Sequence, residues 1–127
     1  MFRRTPKGVR LLILRACNLW DFPKGPVEDD ERELDAARRE AWEKTGLTDL
    51  DYPFGDESKD TLPHAGSNIA RYYLAETGTE KVVLPMSPDL GRPVHDEWRW
   101  VSFDEAEDYM PPRLAVVLEW ARSTLSG

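Results

Sequence analysis

Glu40 and Glu43 stand three residues apart, and Glu40 and Lys44 four apart, in a stretch from Glu33 to Thr45 where Leu34, Ala37, Ala41 and Trp42 recur at helical spacing. Gly46 supplies the stop. On a helix the three charged side chains share nearly one face. Two carboxylates crowded together repel each other unless a cation lies between them. A divalent metal is one such partner, because Mg²⁺ takes hard oxygen ligands and is commonly shared between carboxylates and substrate phosphates. Arg39, next to Glu40, is a second cation that can be aimed at a neighbouring carboxylate to hold it in place. The acidic run Glu28-Asp29-Asp30-Glu31 just upstream reads as a solvated turn whose charge complements the helix dipole.

Other elements must position this helix. Val9, Leu11, Leu12, Ile13 and Leu14, bounded by Pro6-Lys7-Gly8 and Asn18, predict a buried strand. The segment Trp20 to Pro26 carries two prolines and a glycine and reads as a connector. Asp51 to Ser67 predicts a strand fragment and a long loop. Ile69 to Ala75 and Lys81 to Leu84 predict a hairpin around Glu76-Thr77-Gly78-Thr79, and Pro85 to Pro93 a second loop. A strand at Trp98 to Val101 follows. Ser102 and Glu105 have capping-box spacing and open a short helix that ends before Pro111-Pro112; a last helix is expected from Arg113 to Thr124. Strands mixed with a few helices give an α+β or α/β/α arrangement.

The 127 residues suit a single domain spanning 1–127. With 17 Lys and Arg against 24 Asp and Glu, the net charge of −7 and the sequence pI near 4.8 argue against an extended nucleic-acid surface, since phosphate binding draws on Lys and Arg. Mean hydropathy of −0.60 coexists with five Trp, four Tyr and four Phe, so the chain is expected to fold rather than stay disordered. Cys17 is the only cysteine, which excludes an intrachain disulfide and points to a reducing cytoplasmic setting; no apolar run approaches a membrane span. His64 and His95 fall in loops, read either as solvated or as a proton carrier or phosphate contact near neutral pH.

The segment Gly25 to Leu47 resembles the Nudix box, G x5 E x7 R E U x E E x G U with U aliphatic. Gly25, Glu31, Arg39-Glu40, Ala41, Glu43, Gly46 and Leu47 fill its fixed positions. Trp20-Asp21-Phe22-Pro23-Lys24-Gly25 is similar to the lead-in of the diadenosine tetraphosphate hydrolase and RNA pyrophosphohydrolase branches. Arg71 to Glu76 and Trp98 to Ala106 resemble further strands and the helix that close such domains. The resemblance implies the Nudix α/β/α sandwich, a mixed sheet packed between helices. It implies a hydrolase that cleaves a diphosphate linkage in a nucleotide derivative, a small-molecule substrate, with Mg²⁺ or Mn²⁺. Glu40, Glu43 and the Gly25 carbonyl are then the expected metal ligands, Arg39 orients the box carboxylates, Glu31 supports them, and Lys24 faces substrate phosphate. Tyr72 and Trp98 are candidates for stacking a base, or ordinary core aromatics.

Two positions depart from the family pattern. Lys44 stands where the second Glu of the pair belongs, and a charged lysine does not coordinate Mg²⁺. Like charges 4 Å apart repel by roughly 4 kcal/mol at an effective dielectric of 20, so metal affinity should fall. Related enzymes also carry a Glu six places before the tryptophan matching Trp100; here that position is Val94, and His95, Asp96 or Glu97 are its possible substitutes, Glu97 among the expected metal set. The alternative to a working hydrolase is a catalytically impaired domain that binds a nucleotide or a protein, with Lys44 neutralising phosphate in place of metal.

Overall fold

The computed structural model describes residues 1–23, 31–61 and 70–126. Its central element is β2 (Gly8–Ala16), which pairs antiparallel with three strands: β1 (Phe2–Thr5), β3 (Leu19–Asp21) and β8 (Glu97–Val101). The β2–β3 turn is made by Cys17 and Asn18, both left-handed at φ of 53° and 64°, the geometry that follows the twist of a two-residue hairpin. The expected strand is therefore longer than Val9 to Leu14. Two further strands, β1 and β3, escape the sequence reading: β1 has one apolar residue in four, and β3 is only three residues long beside the proline- and glycine-bearing connector.

Leu12, Ile13 and Leu14 are fully buried because β2 is covered on both faces. Leu11 and Ile13 join Phe2, Val101 and the apolar residues of α2 (Phe103–Tyr109) and α3 (Ala115–Ser126) in one core. Leu12 and Leu14 join Ala41 of α1 (Glu33–Thr45) with Leu47, Tyr52, Ala75 and Val82 in the other. Successive residues of a strand point to opposite faces, so α1 lies on one side of the sheet and α2 and α3 on the other. This is the α/β/α sandwich, of α+β class. The ladders are antiparallel, and a parallel bridge between Phe2 and Glu76 adds the mixed character.

The expected hairpin between Ile69–Ala75 and Lys81–Leu84 does not form. β5 (Arg71–Tyr73) pairs instead with β4 (Ser58–Asp60), and 81–84 carry no strand. The intervening residues are tied elsewhere: Glu76 and Asp51 exchange backbone hydrogen bonds of 2.7 and 2.9 Å, and Asp49 accepts from the Thr77 hydroxyl and the Gly78 amide. These bonds to Asp49 also hold its carboxyl below the usual range, the Thr77 hydroxyl most of all. The second expected loop contains a short hairpin, β6 (Met86–Ser87) with β7 (Arg92–Pro93), joined by residues 88–91. Ser102 caps α2 as expected, its hydroxyl accepting from the Glu105 amide while the Glu105 carboxylate accepts from the Ser102 amide. The last helix begins with a 3₁₀ turn, Pro112–Leu114, before α3.

α1 has the expected bounds and ends at Gly46, left-handed at φ 71°, with its amide donating to the Trp42 carbonyl at 2.8 Å. A Cβ at Gly46 would stand 3.0 Å from the Val83 carbonyl oxygen. Gly46→Ala therefore combines an unfavourable backbone conformation with a clash, and is expected to cost about 1 to 3 kcal/mol in urea unfolding with an unchanged m-value.

Candidate active site

α1 carries the charged cluster. Its apolar side is narrow: Ala36, Ala41 and Thr45 are buried, while Trp42, expected on the packed face, is 56% exposed. Glu40 is buried to 4% exposure, an uncommon fate for a carboxylate unless it is paired. The pairing comes from Arg39. Its Nε and Nη2 donate to the two oxygens of Glu31 at 2.9 and 3.0 Å, a bidentate fork. Its Nη1 donates to Glu40 Oε1 at 2.8 Å and to Glu43 Oε2 at 3.0 Å. One guanidinium thus gathers Glu40 and Glu43, which the spacing singled out, and Glu31, which the resemblance implied.

Glu40 Oε2 has no hydrogen-bond donor among the described residues; Lys44 Nζ stands 3.8 Å from it. A buried, donor-free carboxylate oxygen beside a second, partly exposed carboxylate fits a hard divalent cation. The fit is for a lightly liganded ion, because among the described residues no group of three His, Cys, Asp or Glu side chains could hold one. Lys44, at i+4 from Glu40, contributes a competing positive charge at the same oxygen.

The loop before β8 supplies one side chain to this region, and it is not Glu97. Because Leu14 pairs with Trp98 and Leu12 with Trp100, the even-numbered residues of β8 face α1 and the odd-numbered ones face away. Glu97 lies on the far side with Arg99, bonded to Arg15 at 3.3 Å and Arg99 at 3.0 Å, which removes it from the expected metal set. Asp96 is taken by Arg15 at 2.9 Å. His95 is the residue turned toward α1. It is half-buried, its Nδ1 lacks a partner among the described residues, and burial together with the Lys44 ammonium holds its imidazole below its ordinary pKa.

His95, Glu43 and Lys44 line one end of a chamber of about 660 Å³, which the helix end shares with the β6–β7 hairpin. No local pattern announced it, since its walls come from residues 42–46, 84–89 and 93–95. Trp98 is half-buried against the α1-side core. Tyr72 is 5% exposed, its ring edge-on to Phe22 and its hydroxyl donating to Asp21 at 2.9 Å; burial and Asp21 push its phenol well above the ordinary value. Its ring is thus packed in the core, and what it leaves uncovered borders small hollows beside Pro23 and Tyr73 rather than the chamber at Glu43 and Lys44. Lys24, Gly25 and His64 lie outside the described residues. No described helix is long and apolar enough to cross a membrane.

The NUDIX domain profile matches residues 2–121. The RNA pyrophosphohydrolase of Bartonella bacilliformis is 26% identical over 102 residues, 68% of this chain and 59% of that protein. The RNA pyrophosphohydrolase of Bartonella clarridgeiae is 27% identical over 117 residues, 77% of this chain and 68% of that protein. The chain therefore spans 59 to 68% of the length of these two curated relatives. A crystal structure of a C. elegans Ap4A hydrolase binary complex superimposes with a TM-score of 0.82 at 24% identity, covering 99% of this chain and 94% of that one. With the domain profile running nearly end to end and the sandwich shared with a solved relative, the chain belongs to the NUDIX domain family.

Proposed function

We propose that the chain is a pyrophosphohydrolase that cleaves the diphosphate linkage of a nucleotide derivative with Mg²⁺ or Mn²⁺, its substrate resembling an RNA 5′-pyrophosphate or a dinucleoside polyphosphate. The observation that carries this reading is the Arg39 clamp on Glu31, Glu40 and Glu43, with Glu40 Oε2 buried and without a donor. The names of the matched proteins, RNA pyrophosphohydrolase and Ap4A hydrolase, support the substrate class.

Glu40 and Glu43 would hold the cation. When bound, a divalent ion neutralises phosphate oxygens and acidifies water near the phosphorus. The chain's own contribution is positioning. Arg39 fixes both carboxylates before any ligand arrives, so no reorganisation is needed at the moment of reaction. Lys44, at 22% side-chain exposure, stands at the chamber edge where it can contact a phosphate oxygen. His95 offers Nδ1 at the same end of the chamber, its imidazole held below its ordinary pKa.

A second reading is favoured by the 3.8 Å pair of Lys44 and Glu40: the ammonium supplies the counter-charge itself, and the domain binds nucleotide without turnover. Assay of a panel of dinucleoside polyphosphates, ADP-ribose and triphosphorylated RNA with each ion separates the two. The hydrolase releases phosphate products only when metal is present, whereas a binder takes ligand equally well in chelator and releases none.

Two variants test the site. Glu40→Gln keeps the shape and removes the charge, and is expected to lower kcat/KM by about 100-fold or more while the thermal midpoint stays within a few degrees. Lys44→Glu is expected to tighten Mn²⁺ binding roughly tenfold in calorimetric titration and to raise turnover. Unchanged metal affinity would mean that Lys44 does not act at the metal.

A further inference from the structure

The chamber beside the charged cluster is much larger than the cluster itself needs. At about 660 Å³ it falls within the range of roughly 300 to 1,000 Å³ typical of small-molecule sites. Its walls are unequal. Glu43, Lys44 and His95 line it together with Ser87 and Asp89 of the hairpin segment; the other walls are apolar, with Trp42, Met86 and Val94 among them. Trp42 and Met86 are 56% and 63% exposed, large apolar side chains left uncovered where the chain could have placed polar ones. Val83 and Leu90, also exposed, each adjoin a lining residue, so exposed apolar surface gathers around this one opening.

The position of Trp42 gives the chamber its shape. On the last turn of α1 the residue four places on is Gly46, which has no side chain to cover the indole. Lys44 brings positive charge to the same space and Arg39 at 3.0 Å offsets the negative charge of Glu43, while Asp89 adds one further negative charge to the lining. A ligand that suits both ends has a flat apolar part and an anionic part joined by a short spacer. A nucleotide has this form.

We propose that this chamber is the nucleoside subsite, with Trp42 as the stacking platform for the base and Lys44 as the contact for the attached phosphate. The assignment deepens the hydrolase reading and rests on it only for the identity of the site as substrate-binding. Neither Tyr72 nor Trp98 fills this role, since both belong to the packed sheet layer.

The test is equilibrium binding in chelator, where no turnover occurs, with ADP and inorganic pyrophosphate as probes. Wild type is expected to bind ADP about tenfold or more tightly than pyrophosphate, the scale of one base stacked on an aromatic ring. Trp42→Ala should abolish this preference while leaving pyrophosphate affinity unchanged, and Trp42→Phe should restore most of it. The exposed site makes the variants safe for folding, which far-ultraviolet circular dichroism checks. A wild type that binds ADP no better than pyrophosphate, or a Trp42→Ala variant that keeps the preference, overturns the assignment. A Trp42-dependent preference in a protein without hydrolysis would instead sink the hydrolase reading and leave the subsite standing.

Discussion

The site depends on one guanidinium. Glu31, Glu40 and Glu43 would repel one another on and beside a single helix, and Glu40 is also withdrawn from water. Arg39 resolves both problems because its planar fork has donors enough for a bidentate grip on Glu31 and a shared nitrogen for the other two. A lysine in its place would offer a point charge without that geometry. The arrangement holds carboxylates ready and leaves Glu40 Oε2 without a donor among the described residues, so the helix presents a demand for positive charge at one spot. Lys44 meets it in part from 3.8 Å.

The fold serves this helix by supplying a stiff floor. β2 is paired with three strands and covered on both faces, so its central residues are among the least accessible in the molecule. Leu12 and Leu14 carry α1 on one face while Leu11 and Ile13 carry α2 and α3 on the other. The opposite face of the sheet closes with a separate charge system, in which Arg99 lies over the rings of Trp20 and Tyr109 and bonds Glu97. That system explains why an acidic residue so close in sequence to the expected site takes no part in it.

Much of this was legible from residue order. The bounds of α1, its glycine stop and the capping box at Ser102 follow from local chemistry acting over three or four residues, the range where spacing is informative. The half of the Arg39 clamp that joins Glu40 and Glu43 was legible for the same reason; its grip on Glu31, eight residues away, was implied only by the family resemblance. What escaped were arrangements set by distant partners. The hairpin expected at 69–84 fails because Asp49 and Asp51 capture residues 76 to 78, and nothing in that segment reveals them. Whether residue 97 or 98 faces α1 turns on the pairing of Trp98 with Leu14, a one-residue matter that reverses every side chain. The paired tryptophans at 98 and 100 were a usable signal, since both sit on the α1 side. Trp42 misled in the opposite sense: helical spacing suggested a packed face, and the helix buries a stripe of small residues instead.

The bare backbone at Gly46 has a mechanical corollary. With no side chain to act as a cushion, the strand-less segment at 83–85 bears directly on the end of α1, its Val83 carbonyl against the turn and its Pro85 ring nearby. Leu84 and Pro85 are themselves walls of the chamber. Whatever fills that space therefore leans on the same short piece of chain that lies against the end of the helix, so the acidic cluster and its neighbouring hollow share one wall.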